Sequence, residues 1–254
     1  MSVTTEFLPG FDGAQLALHR LGSGRPVVLL HGLFSSAEMN WIKWGHAALL
    51  ADAGFEVLMP DLRAHGESAA PHDPAAYPPD VLARDLAALI AQLGLTDYDL
   101  CGFSLGARTS VRGVIGGLTP RRLVLGGMGL EGLAGGSGRG AFFVDAIDRF
   151  DAVKHGDPAY LAVQFMKSMK VDRVAARLLL GAMADTDPAL LAQITMPTLV
   201  VCGKQDRDNG SPDELVAALP NAELAVIPGT HMSCVTKPDL GEAIRDFLIA
   251  SKGT

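Results

Sequence analysis

Short, continuous apolar runs recur along the chain, and most are followed by a stretch with helical spacing. "RPVVLLHG" (25–32) is the first. It is apolar without alternation, as a strand buried on both faces requires. "FEVLMPDLR" (55–63), "YDLCGFS" (98–104), "RRLVLGG" (121–127), "MPTLVVCGK" (196–204) and "AELAVIPG" (222–229) repeat the pattern. Ahead of them, "TEFLPGFDGAQLALHRLGSG" (5–24) reads as two strands joined around the Asp12-Gly13 turn.

The intervening stretches read as helices. "SSAEMNWIKWGHAALLADAG" (35–54) predicts a single helix, with Ser35 and Glu38 as a capping box, Met39, Ile42, His46 and Leu49 on one stripe, and Gly54 as the stop. "DVLARDLAALIAQLG" (80–94) is amphipathic and ends at Gly94. "LGARTSVRGVIGG" (105–117) predicts a helix that starts at Ser104. "SPDEL" (211–215) opens another, with Ser211 as cap, Pro212 in the first turn and Glu214 closing a capping box. "KPDLGEAIRDFLIAS" (237–251) is the last. Alternating strands and helices predict an α/β fold, a mostly parallel central sheet with helices on both faces.

The alternation breaks after Gly126. A glycine-rich stretch, "GGMGLEGLAGGSGRG" (126–140), leads into three apolar helical segments, "AFFVDAIDRF", "PAYLAVQFMKSM" and "VDRVAARLLLGAM". We read residues 127–194 as a helical cap inserted into a core made of residues 1–126 and 195–254. No internal repeat or low-complexity linker appears.

Composition narrows the function. In 254 residues, 48% are hydrophobic and 19% charged, enough for a sizeable core. A net charge of −7 argues against nucleic acid and anionic membrane surfaces as partners. The three cysteines, Cys101, Cys202 and Cys234, are odd in number and far apart, which fits a reducing compartment and no zinc site. "MSVTTEFLPG" lacks a basic region followed by an apolar one, and no run is long enough to cross a bilayer, so a cytoplasmic location is expected. Association of like chains stays open.

In such a sheet, reactive residues gather in the loops beyond the carboxyl ends of the strands. His31-Gly32-Leu33-Phe34 follows the third predicted strand, and Pro60-Asp61-Leu62-Arg63-Ala64-His65 closes the fourth. Ser104 follows the fifth, inside "GFSLG". Asp206 and His231 follow the last two. The G-x-S-x-G spacing alone is a weak signal in a chain with 29 Gly. What strengthens it is a nucleophile, an acid and a base at one edge, in the order Ser, Asp, His. Asp208, two residues beyond Asp206, is a rival acid. Gly127-Met128-Gly129-Leu130-Glu131-Gly132 matches a dinucleotide fingerprint, but "LAGGSGRG" is a poor helix to follow it, so no nucleotide is expected there.

"HGLFSS", "PDLRAHGES", "GFSLG", "GKQD" and "PGTH", in that order between residues 31 and 231, resemble the α/β-hydrolase family. The resemblance implies Ser104 as nucleophile, His231 as general base and Asp206 as its orienting acid. It implies an oxyanion hole from the backbone amides of Leu33 and Leu105, with no metal and no cofactor. His31 is expected to order the oxyanion loop without reacting, and Asp61, Arg63 and His65 to brace the loop after the fourth strand. Ala64 stands where the family usually has glycine, which suggests a slightly different backbone. The implied activity is that of a serine esterase acting on a small acyl compound. Phe142, Phe143, Val144, Ile147, Phe150, Tyr160, Leu161, Phe165, Met166 and Met169 are candidates for an apolar pocket wall, the methionines giving it an adaptable surface. Two rivals remain: a carbon–carbon bond hydrolase with the same triad, and a non-catalytic binding protein. Epoxide hydrolases and dehalogenases of this fold use an aspartate where Ser104 stands. Perhydrolases usually carry a proline in the oxyanion loop, which "HGLFSS" lacks.

Overall fold

The apolar runs form one eight-stranded sheet in the computed structural model, which describes residues 2–135 and 137–250. The strands are β1 (Thr4–Pro9), β2 (Gln15–Gly22), β3 (Arg25–Leu30), β4 (Phe55–Pro60), β5 (Asp99–Phe103), β6 (Leu123–Gly126), β7 (Thr198–Gly203) and β8 (Ala222–Ile227). Their spatial order is β1-β2-β4-β3-β5-β6-β7-β8. Only β1 and β2 run antiparallel to their neighbours; the rest pair in parallel. Every residue of β5 and β7 is buried, as their unbroken apolar sequences require.

Ten helices accompany the sheet among the described residues: α1 (His46–Asp52), α2 (Val81–Gln92), α3 (Leu105–Ile115), α4 (Leu130–Ala134), α5 (Ser137–Asp148), α6 (Tyr160–Ser168), α7 (Arg173–Gly181), α8 (Pro212–Ala218), α9 (His231–Cys234) and α10 (Pro238–Ile249). Leu82, Leu86 and Leu89 of α2 join Val111 of α3 in one core cluster. Ala47 and Leu50 of α1 join Leu240 and Ile244 of α10 in the other. Each cluster takes alternate residues of the central strands, so the two faces of the sheet are separately sealed.

The single helix expected over 35–54 is broken. One wide turn spans Glu38–Ile42, and α1 restarts at His46 after Gly45, whose φ of 82° no helix continues. The hydroxyl that caps the first turn is that of Ser36, accepting from Met39 N–H at 3.2 Å, and not that of Ser35. Between β6 and β7 the chain forms α4 to α7. Val163 and Met166 of α6 and Leu180 of α7 close a third apolar cluster, distinct from the two on the sheet.

One buried ion cluster ties the first hairpin to α2. Arg63 is fully buried, and its guanidinium forks onto Asp85 at 2.8 Å through both Nε and Nη2. Its outer edge donates to both oxygens of Asp12, at 2.7 and 2.8 Å. The loop-bracing role expected of Arg63 is therefore borne out geometrically, with partners the sequence did not reveal. Asp85→Ala leaves most of this charge desolvated, so urea unfolding is expected to show a loss of roughly 3 kcal/mol. Asp12→Ala, at a 30% exposed site, should cost clearly less.

Candidate active site

Ser104 lies between the last residue of β5 and the first of α3. Its backbone sits at φ 54° and ψ −111°, which side-chain-bearing residues seldom adopt. Glycines make the turn possible. A Cβ on Gly102 would lie 2.2 Å from the carbonyl of Gly106, and one on Gly106 would lie 2.2 Å from the carbonyl oxygen of Leu30. The helix thus meets the sheet backbone to backbone, and Ser104 N–H donates to Gly126 O at 2.8 Å.

The other two residues arrive from neighbouring strands. Asp206 follows β7 in a turn closed by its N–H to Gly203 O, at 2.8 Å. His231 opens α9 behind β8, where Thr230 and Ser233 form a reciprocal capping box. His231 Nδ1 is 2.9 Å from Asp206 Oδ2, and Nε2 is 3.1 Å from Ser104 Oγ. An ionised carboxylate only accepts, so Nδ1–H donates to Asp206 and Nε2 accepts from the serine hydroxyl. Burial pushes the Asp206 carboxyl up, but the hydrogen bonds from His231 and from the Asp208 N–H outweigh it and hold it below the usual carboxylate value. The ring of Phe103 lies against the imidazole, with centroids 5.1 Å apart. Asp208, the rival acid, pairs instead with Arg139 at 3.1 Å.

A cavity of about 710 Å³ opens over Ser104 and His231. Leu33 and Leu105 border it, and among the described residues neither N–H has an acceptor in the chain. Of the expected wall residues, Phe142, Phe143, Leu161 and Phe165 line it. Ile147 and Met166 are buried in the third cluster instead, with Val144, Phe150 and Tyr160 packed on it, and Met169 is not part of the wall. The methionines that do line the cavity are Met39, Met128, Met183 and Met232.

Comparisons with known proteins agree on the architecture. A profile described as the alpha/beta hydrolase fold matches residues 25–112. The crystal structure of a hydrolase from Pseudomonas aeruginosa superposes with a TM-score of 0.79 at 24% identity, over 97% of this chain and 99% of that one. A thermophilic esterase from Thermogutta terrifontis gives 0.71 at 26% identity, over 96% and 98%. The chain belongs to the alpha/beta hydrolase fold. Among curated proteins, epoxide hydrolase 2 of Siraitia grosvenorii is 35% identical over 97 residues, 38% of this chain but only 29% of that protein's length.

A polar layer supports the loop at residues 31–37. His31 Nε2 accepts from Leu62 N–H at 2.9 Å, so the hydrogen is on Nδ1, which donates to Gly32 O at 2.8 Å. The ring is fully buried and both nitrogens are engaged, the structural role expected of it. Asp61 accepts from Ala37 N–H at 2.7 Å and Glu67 N–H at 2.8 Å, which spans two loops. Ala64 does not relax the backbone: its φ of 66° keeps the left-handed turn that glycine favours. A helix does open at Leu130, contrary to expectation, but the glycines before and within it serve packing. A Cβ on Gly129 would lie 2.5 Å from the Gly210 backbone.

Two residues escaped the sequence reading. Asn40 accepts from Gly32 N–H at 3.0 Å. Arg108 donates to the carbonyls of Gly132 at 2.7 Å and Leu133 at 3.2 Å, and also to that of Ala184. It thereby grips both ends of the α4–α7 segment. Its partners are mostly backbone carbonyls, which carry no residue signature.

Burial drives the His65 pKa down to about 3, with the nearby His31 adding to the effect, and burial also lowers His31 and His46. In the unfolded chain these imidazoles take up protons near 6.5, and in the fold they resist. Their contribution is therefore complete above that pH and is lost as pH falls, for His65 down to about 3. His19, raised by its hydrogen bond to Asp61, works oppositely. His65 alone gives a loss of roughly 2 kcal/mol between pH 7 and pH 5. Urea titrations should show stability falling over that window; a gain would contradict the assignment.

Proposed function

We propose that this chain is a serine hydrolase that cleaves a carboxylic ester or related acyl compound through an acyl-enzyme on Ser104. The reading rests on one observation: Ser104 Oγ, the His231 imidazole and the Asp206 carboxylate form a continuous hydrogen-bonded series at the floor of an apolar cavity. Ser104 Oγ attacks the carbonyl carbon as His231 Nε2 takes its proton. Asp206 holds the tautomer and stabilises the imidazolium. The tetrahedral oxyanion is met by the amides of Leu33 and Leu105, the latter at the start of an eleven-residue helix whose dipole favours negative charge. His231 returns the proton to the leaving alcohol. Water, activated by the same imidazole, then releases the acid and regenerates Ser104.

The residues between β6 and β7 act as the cap in this reading. With Trp44 and Met232 from the body, Phe142 and Leu161 of the cap form an exposed apolar rim to the cavity. A space of about 710 Å³ with such a rim favours a bulkier acyl or alcohol group than the small ester expected at first. The similarity to epoxide hydrolase 2 spans 97 residues; epoxide hydrolases of this fold use an aspartate as nucleophile, and Ser104 occupies the corresponding turn here.

The test is a fluorophosphonate probe together with hydrolysis of p-nitrophenyl esters. Wild type should be labelled and should turn over, and Ser104→Ala should lose labelling and at least about 10³-fold in kcat. His231→Ala should lose a similar amount. Labelling that persists in Ser104→Ala, or is absent from both proteins, would remove the proposal. Faster cleavage of a vinylogous diketone than of any ester would move it to carbon–carbon bond hydrolysis.

A further inference from the structure

We propose that Phe34 is a positioning residue, through which the helices between β6 and β7 hold the Leu33 amide in place for the oxyanion. This rests on the Ser104 chemistry proposed above and concerns how that site is kept assembled. The loop carrying Leu33 is fastened to the body on both sides. Gly32 N–H donates to Asn40 Oδ1 at 3.0 Å, and Ala37 N–H to Asp61 Oδ1 at 2.7 Å. Between these points Phe34 has a φ of 60°, a left-handed conformation that a bulky residue rarely takes. Backbone strain of this kind persists only where the surroundings over-determine it.

A local bond closes the turn, Ser35 N–H donating to Gly32 O at 3.2 Å, but the Phe34 side chain is held by the cap and not by the sheet. Phe34 is 3% exposed and belongs to the third apolar cluster, with Ala146, Ile147, Val163 and Met166, and to neither cluster of the body. Its ring meets that of Phe143 edge-on, with centroids 5.4 Å apart and planes at 88°. Leu33 packs against both this cluster and the body cluster that holds α2 and α3. An oxyanion donor is therefore borne on a turn whose side chain is anchored in the cap, and seating of the cap and alignment of the donor become one event.

Labelling by a small fluorophosphonate tests this, because the bound phosphonyl oxygen takes the oxyanion's position and no substrate need be known. Turnover of p-nitrophenyl acetate and octanoate separates alignment from wall contact. Phe34→Ala should label at least about tenfold more slowly and lose kcat on acetate by a similar factor, with KM changed far less. Phe143→Ala, a cap substitution, should move both readouts in the same direction. The double variant should lose less than the product of the two. Phe34→Leu should recover part of the rate. If Phe34→Ala fails to fold, as judged by near-ultraviolet circular dichroism, Phe143→Ala and Phe34→Leu decide. A higher KM for octanoate alone, with acetate kcat and labelling unchanged, would make Phe34 mere pocket wall and overturn the proposal. Absence of labelling in the wild type would overturn it together with the Ser104 reading, and is distinguishable because it appears before any substitution.

Discussion

Ser104 is held at φ 54° by contacts that its own side chain does not make. Left to itself, such a conformation costs on the order of 1–3 kcal/mol and would relax. It is kept because β5 is a central, fully buried strand and because α3 approaches β5 at Gly102 and β3 at Gly106 with only glycine hydrogens between backbones. Neither partner can yield without opening the sheet. The hydroxyl is thus raised above the strand ends by the same close packing that stabilises the core. The position of the hydroxyl and the stability of the core share one set of atoms.

That constraint decides how the other loops must behave. Asp206 and His231 follow the two strands at the far edge, and register along the parallel ladder fixes how far each projects. Their loops are then braced locally. Asn209 donates to Gly127 O at 2.7 Å, and Gly229 N–H donates to Gln205 Oε1 at 3.2 Å. On the opposite side, His31 and Asp61 hold the loops after β3 and β4 through backbone amides. His31, Asp61 and Asn209 are buried and paired, which makes the rim rigid where an unpaired group would have made it weak.

Strand runs, the glycine-flanked turn at Ser104 and the places of Asp206 and His231 at the strand ends were legible because each is written locally. An apolar run of five or six residues has few alternatives, and glycines at both sides of a serine have a steric meaning. The break at Gly45 was hidden because the apolar stripe from Met39 to Leu49 continues across it, and periodicity does not register a reversed φ. The pairing of Arg63 with Asp85 was hidden because it joins two elements 22 residues apart. The cavity wall was only half legible, since α5 and α6 are apolar on more than one side. Phe143 and Phe165 face the cavity while Ile147 and Met166, one turn or less away, fill the cluster behind it. No periodicity distinguishes a pocket face from a core face when both are apolar.

The place of the inserted helices follows from the sheet. β6 and β7 are adjacent and parallel, and Gly127 N–H donates to Val201 O at 2.8 Å. The chain therefore leaves the sheet at the carboxyl end of β6 and re-enters at the opposite end, where Thr198 lies beside Leu123, so the excursion is part of a crossover and leaves strand register undisturbed. Arg108 closes the base of the excursion by gripping residues near both of its ends from α3, the helix that starts at the nucleophile turn. The excursion buries its own cluster and so contributes its own stability, while its side chains form much of the cavity wall. Wall chemistry can then change with little effect on the sheet, except along one line. A substitution in α5 that shifts Phe143 also reaches Phe34, and through it the loop that faces Ser104.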